Sequence, residues 1–227
     1  MPCDTPYSVK PKGWLNAIDV PCGKCPNCKK RRVNEWVFRL QEEDKVSSTS
    51  YFITLTYDTV VVPISPNGFM TLKKRDLQLF WKRLRKAIGK GPKIRYYAVG
   101  EYGSKSYRPH YHAIVFNCPD VDLFQEAWQL GSVHVGQVSS RSIAYTTKYI
   151  DKPTRIPMHR ADDRIPEFSV MSNGLGKSYL SDAVKRYHRG DITRNWLRSD
   201  YGTKIAMPKY NRDRDWETQV FYHLHDA

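Results

Sequence analysis

The stretch "RPHYHAIVF", Arg108–Phe116, decides the fold. Its residues alternate as a β-strand does, and a strand sends residues i and i+2 to one face. His110 and His112 therefore share a face, with Tyr111, Ala113 and Val115 on the other. Upstream, "KIRYYAVGE" (93–101) reads as a strand and "YGSKSY" (102–107) as the loop that returns the chain. The two strands form a hairpin, which makes Glu101 a neighbour of His110 across the pair.

Outward from this hairpin the pattern stays regular. "YFITLTYD" (51–58) alternates and is rich in β-formers, with Ile53 and Leu55 expected inward and Thr54 and Thr56 opposite. "TLKKRDLQLFWKRLRKAIG" (71–89) reads as an amphipathic helix with Leu72, Leu79, Phe80 and Leu84 inward and Gly89 at its end. "DVDLFQEAWQLG" (120–131) reads as a helix capped by Asp120 and ended by Gly131, and "SVHVGQV" (132–138) as a strand. "SSRSIAYTTKYIDKP" (139–153) reads as a serine-capped helix stopped by Pro153. Ahead of all these, "PNCKKRRVNEWVFRLQEED" (26–44) is a helix with Val33, Trp36, Val37 and Leu40 on one side.

The fold class expected is α+β. From Tyr51 to Val138 the order matches a ferredoxin-like (split βαβ) antiparallel sheet, with helices on one face and an open face opposite. The open face should carry Thr54, Thr56, Glu101, His110 and His112, with His134 a further candidate. We expect one domain over the 227 residues: a cysteine-bearing N-terminal segment and helix (1–50), a core (51–153) and a C-terminal extension (154–227) with a helix near Leu180–His188.

Composition narrows the partners. Lys and Arg number 37 against 23 Asp and Glu, a net charge of +14. A surface this basic attracts polyanions, of which nucleic acid is the commonest. Lys73, Lys74, Arg75, Lys82, Arg83 and Arg108 are the expected phosphate contacts. "MPCDTPYSVK" has no apolar secretory core and no apolar run approaches a membrane span, so a cytosolic place is expected.

Two imidazoles and one carboxylate form a mixed nitrogen and oxygen set that suits manganese, iron or zinc by softness, and magnesium less comfortably. Three protein ligands leave positions open, as catalytic metals require. An oxygenase-type triad uses the same donors, but it gives no role to the charge. On the 139–153 helix, Tyr145 and Tyr149 lie four residues apart and so on one face, with Lys148 between them. A phenol, pKa about 10, becomes a useful nucleophile only when a cation or metal favours the phenolate.

Cys22, Cys25 and Cys28 form C-x2-C-x2-C, a strong metal signature, and Cys3 is a candidate fourth ligand. A structural zinc ion fits better than an iron–sulfur cluster, because Lys29, Lys30 and Arg31 follow where a fourth cysteine would be needed. Cys118, alone after a strand, reads as a small residue near the surface. "GLGKS" (174–178) lacks the first glycine of a phosphate-binding loop, since Met171 stands there, and reads as a turn into a helix.

Taken together these motifs resemble the HUH endonucleases, and more closely the replication initiators of microvirus-type single-stranded DNA phages of the gokushovirus branch. "FITLTYD" (52–58) resembles their first motif, "GEYGSKSYRPHYHAIVF" (100–116) their metal-binding motif, and "YTTKYIDK" (145–152) their two-tyrosine motif. "VPCGKCPNCKKRRVNEWVFR" (20–39) resembles their cysteine-bearing start, while "EFSVMSNGLGKSYL" (167–180) and "GTKIAMPKYNRDR" (202–214) are weaker versions of later segments. The resemblance implies a site-specific single-strand DNA endonuclease and ligase. His110, His112 and Glu101 would hold Mn2+ or Mg2+, Tyr145 or Tyr149 would cut and keep the 5′ phosphate, and Lys148 would orient or stabilise charge. It also implies origin DNA, a host polymerase and helicase as partners, and the bacterial host cytoplasm as location. The competing expectation is a zinc-stabilised single-stranded DNA-binding protein that cuts nothing, which would have no use for the tyrosine helix.

Overall fold

The computed structural model describes residues 3–150, 156–191, 193–194, 196–198, 202 and 204–211. In chain order these form β1 (Tyr7–Val9), β2 (Ile18–Val20), α1 (Pro26–Asp44), β3 (Ser50–Tyr57), α2 (Lys74–Ile88), β4 (Arg95–Tyr102) and β5 (Pro109–Phe116). Then come α3 (Asp122–Trp128), β6 (Gly131–Gln137), α4 (Ser140–Thr147), β7 (Phe168–Met171), α5 (Asp182–Arg189), β8 (Trp196–Arg198) and β9 (Lys204–Ala206). The chain divides into two compact units, one of Met1–Glu42 with Gly176–Ala227 and one of Glu43–Leu175.

The second unit is built on a five-stranded sheet of order β6-β3-β5-β4-β7, with every neighbouring pair antiparallel. The β-α-β-β-α-β succession expected from Tyr51 to Val138 is present. β7 is an addition to it: Phe168–Met171, assigned in the sequence to the extension, pairs with Tyr97–Gly100 at the sheet edge. At four residues it is too short to show an alternation of its own.

One face of the sheet carries the core. Ile53, Leu55 and Tyr57 of β3 and Tyr111, Ala113 and Val115 of β5 pack with Leu77, Phe80, Trp81 and Leu84 of α2 and Phe124, Ala127 and Trp128 of α3. On α2 the inward residue is Leu77 rather than the expected Leu79, and Trp81 joins it, because the helix begins at Lys74 and its stripe starts from there. Gly89 ends α2 at φ +63, as expected. Asp120 does accept from the Asp122 amide (3.0 Å), but Val121 is the residue that flanks α3. At the other end of α3, Gln129 takes the left-handed turn (φ +58) and Gly131 already opens β6. Gly131 is obligatory on two counts, its φ of +149 and a Cβ that would lie 2.1 Å from Thr56 O. Cys118 is wholly buried, not near the surface, because its segment folds beneath Thr49, whose hydroxyl donates to Cys118 O (2.7 Å).

The opposite face is less open than alternation alone implied. Tyr97, Val99, Ile114 and Phe116 lie on it and are fully buried. α4 also runs over this face, bringing Ile143, 2% exposed, against the protein interior. What stays accessible is the end near His110, Thr56, Ser132 and His134.

In the first unit, α1 spans the residues expected. Of the expected side Leu40 is fully buried, while Val33, Trp36 and Val37 are only half-buried; Phe38 packs with Leu197, Met207, Tyr179 and Ile205. "GLGKS" proves to be a packing turn. Gly176 sits at φ +70, and a Cβ there would lie 2.6 Å from Arg39 O, so the glycine answers to helix approach and not to a phosphate. α5 forms where a helix near Leu180–His188 is expected, and Ser181 caps it, its hydroxyl accepting from Val184 N (3.3 Å). No helix among the described residues is long and apolar enough to cross a membrane. The expected helix stop at Pro153 lies outside the described residues.

Candidate metal centre

Register places the site. β5 pairs with β4 so that Glu101 faces His110, and with β3 so that Thr54 faces His112 and Thr56 faces His110. Both imidazoles therefore point to one spot, and both reach the same atom. Glu101 Oε1 lies 2.8 Å from His110 Nε2 and 3.0 Å from His112 Nε2. One ligand atom from each of the three residues lies within 4.8 Å of the others. Glu101 is 3% exposed, so this carboxylate has almost no water to solvate it.

The far sides of the rings fix their chemistry. His110 Nδ1 is 3.1 Å from Arg108 O; a carbonyl only accepts, so Nδ1 carries a proton there. His112 Nδ1 meets Thr54 Oγ1 at 2.9 Å, and the Phe52 ring stacks on the imidazole at 5.5 Å and 10°. With Nδ1 protonated, a neutral imidazole turns the Nε2 lone pair toward the carboxylate. Lone pair against lone pair is repulsive, so the centre calls for a positive species, a proton or a metal cation. Outer partners that hold Nδ1 and leave Nε2 to the ion are the usual support of a histidine ligand. The donor set thus fits a divalent metal.

Burial pushes the Glu101 carboxyl up, but where a proton is that positive species the hydrogen bonds from His110 and His112 outweigh burial and leave its pKa lowered to about 2. The carboxylate is thus ionised at any ordinary pH.

α4 brings the phenols to the same atom. Ser139 caps it by a reciprocal pair, its side chain accepting from Ser142 N and its amide donating to Ser142 Oγ (2.8 Å). The Tyr145 hydroxyl donates to Glu101 Oε1 at 3.2 Å, and its ring meets His112 edge-on at 5.1 Å. The Tyr149 hydroxyl donates to that of Tyr145 at 3.4 Å. Tyr149 is not on α4 itself but on the 3-10 turn that follows, Lys148–Ile150. Lys148 is exposed on that turn.

The expected phosphate contacts fare unevenly. Lys73, Lys74, Arg75, Lys82 and Arg83 belong to α2 or its approach, and α2 packs on the sheet face opposite the centre. Arg83 serves α3 instead, donating from Nε to Ala127 O (2.6 Å) and from Nη2 to Trp128 O (3.0 Å). Arg108 is next to the centre, but its Nη2 donates to Tyr57 O (2.5 Å) and so braces the end of β3. A charge cluster in sequence says nothing about which layer it will decorate. His134 is exposed and opposite Thr54, hence on the same face as the centre, one strand further out.

What the sequence did not single out is the support of the centre. Thr54 behind His112, Phe52 stacked on it and the Arg108 carbonyl behind His110 all come from register and loop geometry. Only the even-numbered face of β3 hinted at the first two.

In the first unit the four cysteines also meet. The Sγ atoms of Cys3, Cys22, Cys25 and Cys28 lie within 4.8 Å of one another, and Cys3 Sγ is 3.8 Å from Cys25 Sγ. The Thr5 hydroxyl, then the amides of Lys24 and Cys25, donate to Cys22 Sγ and lower that thiol to about 5, while burial pushes Cys28 up to about 12.

Residues 50–154, which hold Glu101, both histidines and both tyrosines, match the family model described as Replication-associated protein ORF2/G2P. The chain is similar to phage replication-associated proteins. It is 28% identical to Replication-associated protein ORF2 of Spiroplasma virus 4, over 92% of this chain and 72% of that one. It is 25% identical to Replication-associated protein VP4 of Bdellovibrio phage phiMH2K, over 88% and 68%. It is 28% identical to Replication-associated protein ORF4 of Chlamydia phage 1, over 87% of this chain and 53% of the relative. No solved structure matches.

Proposed function

We propose that this protein initiates rolling-circle replication of a microvirus-type phage as an HUH endonuclease, nicking and rejoining single-stranded origin DNA through a 5′-phosphotyrosine. The observation that carries the reading is the meeting of four side chains at one carboxylate oxygen, with His110, His112 and Tyr145 all within 3.2 Å of Glu101 Oε1. A structural sheet has no need of such a convergence. The strand order, with β6-β3-β5-β4 all antiparallel, favours reading the sheet as a ferredoxin-like split βαβ with one added edge strand.

His110, His112 and Glu101 would hold a divalent ion, Mn2+ or Mg2+. When bound, such an ion polarises the scissile phosphate and offsets the charge that builds on its oxygens. The remaining steps belong to the chain. The Tyr145 oxygen bonds the phosphorus, the bond from phosphorus to the 3′ oxygen breaks, and the phenol proton ends on the freed 3′ oxygen. A phosphodiester is exchanged for a phosphotyrosine diester, so no energy source is required. Tyr145 makes the first cut because its hydroxyl touches the carboxylate directly, whereas Tyr149 reaches it only through Tyr145. Tyr149 takes the second cut, which lets the freed 3′ hydroxyl displace Tyr145 and close a circle. Lys148, exposed between them, steadies the phosphate. A host polymerase extends the 3′ end and a host helicase opens the duplex, in the host cytoplasm.

The test is strand cleavage of the cognate circular single-stranded genome with manganese or magnesium. Metal-dependent nicking that leaves a free 3′ hydroxyl and a protein-blocked 5′ end supports the reading. DNA that is bound yet never cut, with several metals tried, leaves a single-stranded DNA-binding protein in its place.

A further inference from the structure

The N-terminal hairpin is small and exposed. β1 and β2 are three residues each and, among the described residues, pair with one another alone. All of β1 is exposed, and Tyr7 and Leu15 are 52% and 93% accessible. A lone two-stranded hairpin is marginal at best in water. Something must close its open end, and the residues there are Cys3, just before β1, and Cys22, just after β2. Facing them are Cys25, at the entry to α1, and Cys28, in its first turn.

The thiols are spaced for one ion. Four sulfurs around a tetrahedral zinc at about 2.3 Å sit roughly 3.8 Å apart, and Cys3 Sγ and Cys25 Sγ are 3.8 Å apart. The backbone is arranged around the sulfurs as well. The amide of Cys22 donates to Cys3 Sγ (3.3 Å), those of Lys24 and Cys25 to Cys22 Sγ (3.4 and 3.3 Å), and that of Cys28 to Cys25 Sγ (3.5 Å). Such donors favour thiolate over thiol, the state a metal needs.

We propose that Cys3, Cys22, Cys25 and Cys28 bind one zinc ion tetrahedrally, and that this ion rather than apolar packing holds the β1–β2 hairpin to the first turn of α1. The site is structural: four protein ligands leave no position for substrate. It is independent of strand cleavage and would stand if the nicking reading fell.

The test uses the full chain, purified reduced, with zinc counted by elemental analysis. One zinc per chain is expected in the wild type and in the His110→Ala/His112→Ala variant, and none in Cys25→Ser. Cobalt loading of the wild type should give tetrahedral thiolate absorption, weakened in Cys3→Ser. Removing zinc with a chelator should speed tryptic cleavage at exposed Lys12, which Gly13 follows, at least tenfold. Should Cys25→Ser fail to fold, the wild-type cobalt spectrum and Cys3→Ser decide the matter. Reduced protein that binds no zinc, zinc content unmoved by both cysteine variants, or equal cleavage with and without metal would overturn the proposal.

Discussion

The sheet centre and the four-cysteine group are two answers to one problem, how to bring distant ligands together. The sheet centre is prepaid by the fold: Glu101, His110 and His112 are held by ladder register on β4 and β5, above a core of fully buried side chains. The cysteine group has the reverse relation to its surroundings, since the β1–β2 hairpin is exposed and buries little, and the proposed zinc would supply its order. The first should therefore keep its geometry when metal leaves, and the second should not. The donors match these tasks. Nitrogen and oxygen with a phenol beside them suit chemistry, whereas four thiolates suit a closed scaffold.

The largest expected effect is on the reaction. Replacing both phenols, Tyr145→Phe with Tyr149→Phe, should abolish nicking with DNA affinity kept. His110→Ala should lower the nicking rate by about 10³-fold, the worth of several kcal/mol of charge stabilisation, with unchanged thermal stability. A collapse of the sheet in His110→Ala would erase the contrast between the two sites.

Next comes the support of the centre. Thr54→Val removes the partner of His112 Nδ1 and should weaken catalytic metal affinity roughly 10–100-fold, read by manganese titration of nicking, with zinc content unaltered. The core below is more costly to disturb than the hairpin above α1. Phe80→Ala, at a fully buried position, should cost about 3–5 kcal/mol in urea unfolding, whereas Leu15→Ala, 93% exposed, should cost almost nothing.

The smallest effects concern pH and surface charge. The Glu101 carboxyl is lowered to about 2 from an ordinary 4.5. A lowered folded-state value gives stability that is present above 4.5 and is lost as pH falls through about 2. In metal-free protein, Glu101→Gln should flatten that part of the acid unfolding curve, measured by circular dichroism between pH 5 and about 2. Lys82→Ala, on the layer opposite the centre, should change nicking by less than about twofold, as expected of an exposed charge remote from the reacting phosphate.

Much of this was legible in the sequence. The period-2 reading of 108–116 set the strand, its two faces and the hairpin with β4, and so made Glu101 a neighbour of His110. The serine cap and the i, i+4 spacing placed Tyr145 on α4. Spacing could not foresee that the helix tightens into a 3-10 turn under Tyr149, since that depends on local hydrogen bonding. Nor could it show which layer the basic run of 73–83 would occupy, or that β7 would return from residue 168 to the sheet edge. Long-range pairing leaves no periodic trace in so short a strand.

The central claim is that Tyr145 attacks the phosphate beside the histidine–glutamate centre. Its most direct test is peptide mapping of the protein after reaction with cognate single-stranded DNA and manganese, followed by nuclease trimming. A nucleotide-linked peptide with the adduct on Tyr145, absent when EDTA is added and absent in His110→Ala, is the result predicted. An adduct on Tyr149 with none on Tyr145, an adduct on a residue other than these two, or cleaved DNA with no protein attached would contradict it.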